Sequence, residues 1–217
     1  MEDNRCKIII QIPFFHPLLE IGENFISITV YAESFDRLQF QDSRSHTMEV
    51  SEVIRTKRAV REFQDRVLPD EVVNTILNAG RRSQSSKNSQ AWQFVAIRNK
   101  DVLKSLSTCG EWAGHIAGAA MAIAILIPDP NEKFQYLVDC GQSAAYMQLA
   151  AWELGVGSCP ASIYQTEKAR EILGFPLEWH LRLTISFGYP LNETALSASP
   201  KKGGRREFDD LVHWDHW

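Results

Sequence analysis

The stretch "AGAAMAIAILI", residues 117–127, is the longest apolar run in the later part of the chain. It has about half of the roughly 20 apolar residues that a membrane-spanning helix needs. The turn-forming residues "PDP" follow directly at 128–130, and such residues end regular structure. We therefore expect this run to be a strand or another core segment buried inside the protein, and we expect no membrane span here.

Around this run, helix-like and strand-like patterns alternate. Two further segments are rich in β-branched and aromatic residues and predict strands, "WQFVAI" at 92–97 and "HLRLTISFGYP" at 180–190. Apolar residues at helical spacing predict four helices, at 68–80, 100–107, 132–155 and 165–173. With three clear strands, this order predicts an α+β or α/β protein with a small sheet.

The first 47 residues differ in composition from the rest. Residues 23–35 are β-rich and residues 41–47 are polar, whereas "MEVSEVIRTK" from Met48 onward places Val50, Val53 and Ile54 on one helical face. We divide the chain into an extension of unassigned role, 1–47, and a folded domain, 48–217. Two alternatives stay open for the extension: it lacks fixed structure, or is upstream sequence if Met48 is the true start; or it forms a strand pair or arm packed on the domain.

Charge and cysteine content exclude several classes of protein. The chain has 23 basic and 27 acidic residues in a total of 217, and no overall basic field suggests nucleic-acid binding. Its four cysteines stand far apart, without metal-ligand spacing. Acidic residues near the N-terminus and breaks in the apolar run after it argue against a signal peptide. We expect a cytoplasmic protein without a metal site.

Two basic clusters are candidates for an anion site. "TKRAVREF" at 56–63 contains Lys57, Arg58 and Arg61, and a helix here would crowd like charges unless an anion lay between them. "KKGGRREF" at 201–208 contains Arg205 beside two glycines, and with Arg55, just before the first stretch, the clusters hold eight of the 23 basic residues. Each cluster alone is equally well explained as a solvated surface, but a site built from both would suit a phosphate.

Two further stretches lie between these clusters, the first rich in polar residues and the second rich in small residues. "SQSSKNSQAWQF" at 83–94 is dense in hydroxyl and amide groups, which hydrogen-bond a heterocycle as readily as they form an ordinary turn. "LGVGSCPASIY" at 154–164 is expected to be a loop that offers backbone N–H groups, with Cys159 as a small apolar filler. No acid–base pair or activated nucleophile stands out, which is typical of a protein whose cofactor supplies the chemistry.

In this order and spacing, these stretches resemble the nitroreductase family of FMN-dependent oxidoreductases. The family's R-R-S-V-R-x-F start corresponds to "KRAVREF", and its P-S-x-x-N-x-Q-P-W motif to "QSSKNSQAW". Its late motifs correspond to "LGVGSCPAS", to "LGFPLEWHLRLTISFGYP" and to "GGRREFDDLVHWDHW". The resemblance covers about residues 49–217.

The resemblance implies an α+β three-layer sandwich, with a central, mainly antiparallel sheet flanked by helices, in an intertwined homodimer with FMN at the interface. It assigns Lys57, Arg58 and Ala59 to the FMN phosphate and ribityl chain, and Arg61 to the flavin ring beside N1 and O2. A loop from the partner subunit would reach the flavin, and a later segment would face N5. The residues implied for this loop, this segment and a further phosphate contact are Ser85, Ser86, Asn88, Pro160, Ala161, Ser162 and Arg205.

The implied activity is hydride transfer from NAD(P)H through FMN to a small-molecule acceptor such as a nitroaromatic or a quinone, by a ping-pong cycle. Ala59 replaces the family's usual serine, and Gln84 and Ala91 replace two prolines. These departures leave three alternatives: specialised flavin chemistry such as dehalogenation or flavin breakdown, a non-catalytic flavin-binding or sensing protein, and a cofactor-free structural protein. We expect no nucleic-acid or membrane partner.

Overall fold

The structure is a computed structural model that describes residues 48–192, 194 and 204–217. The expectations for the 1–47 extension lie outside the described residues, and so do those for Lys201 and Lys202 of the second basic cluster.

A single antiparallel sheet forms the centre of the described domain. Its strands are β1 (Gln93–Ile97), β2 (Met121–Ile127), β3 (Gly157–Ser162) and β4 (His180–Gly188), in the spatial order β1-β2-β4-β3. The strands predicted around β1, β2 and β4 are confirmed. All three pairings, β1 with β2, β2 with β4 and β4 with β3, are antiparallel.

The expected loop at 154–164 was wrong, because its centre is the edge strand β3. Gly157 pairs with Gly188 and Ser162 with Leu183, so the backbone of this segment hydrogen-bonds to β4. Small residues are poor strand formers in isolation, which is why composition suggested a loop. Here the conformation is determined by pairing with β4 on one side of the segment and by another part of the chain that packs against its other side.

Strand β2 explains why the sheet is covered on both faces. Every residue of β2 is buried, and successive side chains point to opposite faces of a strand. Ile123, Ile125 and Ile127 pack in one core cluster, whereas Ala122, Ala124 and Leu126 pack in another. The unbroken apolar run therefore contributes side chains to the hydrophobic cores on both faces of the sheet.

The helices form the outer layers of an α+β three-layer sandwich. They are α1 (Val50–Thr56), α2 (Asp70–Arg81), α3 (Lys100–Leu106), α4 (Gln135–Glu153) and α5 (Thr166–Leu173). Residues of α2 and α4 cover one face of the sheet, and residues of α3 and α5 cover the other. Within the described residues, no helix has the length and apolarity to cross a bilayer.

Helix α1 is shorter than the expected amphipathic segment. The helix that places Val50, Val53 and Ile54 on one face is confirmed, but Val53 is buried whereas Val50 and Ile54 are 71% and 62% exposed. The helix ends at Thr56, and Trp152 Nε1 donates a hydrogen bond to Thr56 Oγ1 at 3.0 Å. Because Lys57 to Arg61 lie beyond the helix, the expected crowding of their charges on one helical face does not occur.

Helices α2 and α4 cross closely at Gly80. Ser143 Oγ donates to the Gly80 carbonyl oxygen at 3.2 Å. A Cβ atom built on Gly80 would overlap Met147 Cε and would lie 2.8 Å from Met147 Cγ. Glycine is therefore required here by the approach of the two helices.

Substituting Gly80 by alanine tests this crossing. We expect Gly80→Ala to lower the free energy of unfolding by about 1–3 kcal/mol, because overpacking outweighs the higher helix propensity of alanine. Denaturant unfolding followed by circular dichroism measures it. The exposed Asn74 of the same helix provides the control: Asn74→Ala should leave stability unchanged or slightly raised. Equal effects of the two substitutions would contradict the close crossing.

Candidate functional site

The first basic cluster lies along the free side of the edge strand β3. Val60 N donates to the Ser158 carbonyl oxygen at 3.0 Å, and Ala59 forms a parallel bridge with Ser158. A Cβ atom built on Gly157 would lie 2.6 Å from Val60 Cβ. Gly157 therefore allows the chain to approach β3, and this contact fixes the cations on either side of Val60 at the sheet edge.

Lys57 is a half-buried cation with a neutral partner. Its Nζ donates to Gln148 Oε1 on α4 at 2.6 Å, and no carboxylate of the described residues lies within ion-pair distance of it. Burial lowers the pKa of Lys57, an effect that the nearby Cys159 partly opposes. A partly desolvated ammonium without a counter-charge favours an anionic ligand.

Arg58 is folded back onto the end of α1. Its Nη1 donates to the carbonyl oxygens of Arg55, Thr56 and Lys57 at 3.0, 2.9 and 3.1 Å. Its Nε is buried and has no acceptor among the described residues. Part of the guanidinium thus caps the helix, and the orphaned Nε–H is a donor that an anion at this edge would satisfy.

A cleft of about 690 Å³ opens beside the cations. Its walls are formed by residues from three parts of the chain: Arg61, Glu62, Glu111, Trp112, Gly114, His115 and Pro160. The sequence predicted Arg61 and Pro160 as site residues, and the structure brings these two together here. Ser162 lines a smaller, separate pocket instead.

His115 is held in one orientation by Ser186 of β4. Its Nδ1 lies 2.8 Å from Ser186 Oγ, and that hydroxyl donates to the Cys159 carbonyl oxygen at 3.2 Å. If the hydroxyl proton is directed to Cys159, Nδ1 carries the ring proton and donates, and Nε2 is the acceptor. Nε2 is buried and has no partner among the described residues. Burial, and next the charge of Arg61, lower the pKa of His115, and the Pro160 backbone only partly opposes this shift, so the neutral form is favoured.

The polar loop around Ser85 and Ser86 is anchored by a buried carboxylate. Asp139 of α4 is 3% exposed, and its two oxygens accept from Ser86 N at 3.1 and 3.0 Å. Ser85 Oγ accepts from Gln90 N at 3.0 Å. These bonds leave the side chains of Ser86 and Asn88 exposed at the surface.

The same loop has an unusual backbone. Lys87, Asn88 and Gln90 have φ values of 53°, 53° and 47°, and residues other than glycine adopt this left-handed region at a cost of about 1 kcal/mol or more each. A loop of this kind persists only where its surroundings determine it. The bond from Ser86 to Asp139 supplies that constraint.

Within one chain, the loop and the cations lie apart. Lys57 contacts α4 at Gln148 and Ser86 contacts it at Asp139, and nine residues correspond to about 13 Å along a helix. Ser85, Ser86 and Asn88 are therefore not brought next to Lys57 by this chain alone.

The remaining predicted residues lie on β3 and in the C-terminal segment. Pro160 and Ser162 are exposed on the edge strand, whereas Ala161 is buried. Cys159 is buried, and burial raises its pKa although Arg61 and Lys57 oppose the shift, so the thiol is a poor nucleophile. Arg205 lies in the exposed segment 204–217, and no hydrogen bond or ion pair joins it to Lys57 or Arg58 in the described part of the chain.

Sequence reasoning missed several residues of the site. Asp139 had a detectable signal, because helical spacing places it beside Ser143, Ala144 and Met147 on the buried side of α4. Glu111, Trp112 and His115 had none, since the segment 107–119 follows no periodic pattern. Glu62 lies within the first basic cluster, where its sequence context does not distinguish it from an ordinary surface charge.

The fold and the site together define a class: a three-layer α+β protein with a cationic sheet edge and an adjoining cleft. Comparison with known proteins gives the family, since the model of the Nitroreductase family matches residues 54–109 and 108–189. The chain belongs to the nitroreductase family.

Individual relatives agree with this assignment. A candidate NADH dehydrogenase/NAD(P)H nitroreductase of Archaeoglobus fulgidus is 31% identical over 176 residues, covering 78% of this chain and 99% of that protein. A protein of the same description from Methanothermobacter thermautotrophicus is 27% identical over 183 residues, covering 81% and 92%. The structure of an FMN-dependent nitroreductase from Clostridium difficile superposes with a TM-score of 0.66 at 26% identity, covering 76% of this chain and 98% of that one.

The lowered pKa of His115 predicts a pH dependence of stability. Between its ordinary pKa of 6.5 and the lower folded value, the unfolded chain binds a proton that the folded chain does not. The free energy of unfolding should therefore fall as the pH falls below 6.5, with a contribution of at most about 1.4 kcal/mol per pH unit. Above 6.5 this contribution should be constant.

Urea unfolding between pH 5 and 8 measures this effect, the range being set by the roughly 6.5 pKa of free histidine. His115→Asn keeps an N–H donor for Ser186 but cannot ionise, so it should remove this part of the slope. The same substitution at the exposed His216 should leave the slope as it is. An unchanged slope in His115→Asn would show that the imidazole is not held neutral.

Proposed function

We propose that this protein is an FMN-dependent oxidoreductase that uses NAD(P)H to reduce a small-molecule acceptor such as a nitroaromatic or a quinone. Bound FMN would supply the chemistry by accepting a hydride at N5 and passing it on, with donor and acceptor using the cleft in turn. The observation that carries the proposal is the row of cations along the free side of β3: Lys57 with a neutral partner, Arg58 with its orphaned Nε, and Arg61 at the cleft.

The residues present fit a phosphate-bearing flavin. Lys57 and the Nε–H of Arg58 would hold the phosphate, because they are donors without an anionic partner in the described residues. Ala59 lies between them and Arg61 and would face the ribityl chain through its backbone. Arg205 would add a further phosphate contact from the C-terminal segment.

The chain's own part in the reaction would be positioning and electrostatics. Arg61 would place a fixed positive charge at the pyrimidine edge of the ring, where the two-electron-reduced form is negatively charged. Backbone groups of Pro160, Ala161 and Ser162 on the free side of β3 would orient the ring toward the cleft. His115 would remain neutral beside Arg61 and so would not add a second charge there.

A homodimer would complete the site. The loop of Ser85, Ser86 and Asn88 would reach the flavin of the partner subunit, which agrees with its distance from Lys57 along α4 within one chain. Exposed apolar side chains suit such an interface, both on α4 and in the C-terminal segment: Leu137, Val138, Tyr146, Phe208, Leu211, Trp214 and Trp217. We place this dimer in the cytoplasm.

Anaerobic titration of the purified protein tests the proposal. After loading with FMN, addition of NADH or NADPH should bleach the visible flavin band, and a nitroaromatic or a quinone should restore it. Protein that does not take up FMN would overturn the proposal. Protein that binds FMN without bleaching by either nicotinamide would instead be the non-catalytic flavin-binding alternative.

Ala59 offers a test of the residue assignment. Ala59→Ser restores a hydroxyl donor beside the proposed phosphate and ribityl groups, and one hydrogen bond contributes about 0.5–1.5 kcal/mol. We expect FMN to bind about 2- to 12-fold more tightly, measured by quenching of flavin fluorescence. Ala59→Val is the control, since it adds volume without a donor and should not tighten binding. Equal affinities for all three proteins would contradict the placement of Ala59 at the cofactor.

A further inference from the structure

Glu111 and Trp112 form an outward projection between buried anchors. On one side, the Cys109 carbonyl oxygen accepts hydrogen bonds from Tyr164 N and Gln165 N, both at 3.0 Å. On the other side, Ala113 is completely buried. The backbone that carries the two exposed side chains is therefore fixed at both ends.

The segment that carries the projection also contacts the backbone of β3. A Cβ atom built on Gly110 would overlap the carbonyl oxygen of Ser162, so glycine is needed for the two segments to touch. Ser162 belongs to the segment proposed to orient the flavin. The position of Trp112 relative to that segment is thus set by direct backbone contact and does not depend on a flexible lid.

Trp112 exposes an aromatic face at the wall of the cleft. Its side chain is 76% exposed although the neighbouring Ala113 and Ile116 are completely buried. Leaving an indole in water forgoes the favourable free energy of burying it. A planar ligand in the cleft would recover that free energy by stacking on the ring.

The walls of the cleft carry more negative than positive charge. Glu62 and Glu111 line the cleft with one cation, Arg61, and their carboxylates make no ion pair or hydrogen bond in the described residues. One positive and two negative charges leave a net charge of −1 on the cleft walls. Two carboxylates without partners on the wall of the cleft repel an anionic group placed beside them and attract a cationic one.

We propose that Trp112, Glu62 and Glu111 determine the acceptor specificity of this protein: planar aromatic acceptors that are uncharged or cationic are used, and anionic ones are rejected. The inference rests on the proposed function, because it concerns the ligand that alternates with the nicotinamide in the same cleft. Trp112 supplies affinity for the ring, and the two carboxylates supply discrimination by charge.

Three acceptors with the same ring and the same reducible group test the discrimination. They are para-nitrobenzamidine, which is cationic, para-nitrobenzamide, which is uncharged, and para-nitrobenzoate, which is anionic. We expect kcat/KM to fall in that order for the FMN-loaded dimer. The benzamidine-to-benzoate ratio should also shrink as salt is raised, because interactions between exposed charges are screened.

Charge-neutral variants test the carboxylates. In Glu62→Gln with Glu111→Gln, we expect the benzamidine-to-benzoate ratio of kcat/KM to fall about tenfold or more, since each removed charge both attracts the cation and repels the anion. The matched control is Glu171→Gln with Glu178→Gln, which changes the net charge equally at exposed sites away from the cleft. An equal fall in both double variants, or no fall in the first, would overturn the proposal.

Trp112 is tested by its effect on KM and kcat separately. Trp112→Ala should raise KM about tenfold for all three acceptors with a small change in kcat, and Trp112→Phe should restore most of the affinity. The benzamidine-to-benzoate ratio of kcat/KM should be unchanged in both variants. A loss confined to kcat, or a KM that does not recover with phenylalanine, would overturn the stacking role.

Equilibrium binding separates this inference from the proposed function. Benzamidine, benzamide and benzoate cannot be reduced, and their dissociation constants follow from the perturbation of the flavin band without turnover. Tighter binding of benzamidine than of benzoate, lost in the cleft double variant, supports the inference independently of catalysis. Equal binding of all three by FMN-loaded protein that NADH or NADPH bleaches would overturn the inference and leave the proposed function standing.

Discussion

The contact between Val60 and Gly157 is the constraint on which the site depends. A side chain at residue 157 would overlap Val60. The segment that follows α1 can therefore lie beside β3 only because residue 157 of that strand is a glycine. The bond from Val60 N to Ser158 then fixes the register of the two segments. As a result, Lys57, Arg58 and Arg61 are presented along one strand edge. That edge would otherwise be an unpaired row of backbone groups.

The site concentrates unfavourable features that a purely structural surface would avoid. It contains a half-buried lysine with a neutral partner, a buried arginine nitrogen without an acceptor, and a histidine whose pKa is lowered beside a second cation. The first two reduce the stability of the unliganded protein, and the histidine does so only below pH 6.5. Their concentration at one edge supports the proposed binding site there, and this support does not depend on the family resemblance.

Periodicity predicted the interior of this protein well and its site only in part. The unbroken apolar run of β2 and the apolar stripe of α2 follow from side-chain chemistry alone, so these elements were predicted with nearly correct bounds. Strand β3 was wrongly expected to be a loop, because its conformation comes from pairing with β4 and from Val60, which are distant in sequence. The family resemblance supplied the candidate cations, but Glu111, Trp112 and His115 meet them only in the folded chain, so no local pattern could identify them.

The bond between Asp139 and Ser86 also has a consequence for the order of assembly. It joins residues 53 positions apart, and contacts of such separation close large loops and form late relative to local structure. Helix α2 can form from its own neighbours, whereas the left-handed backbone at Lys87 and Asn88 is supported both by short-range bonds, such as that from Gln90 N to Ser85 Oγ, and by the distant Asp139. We therefore expect the loop to acquire its final shape only after α4 has docked.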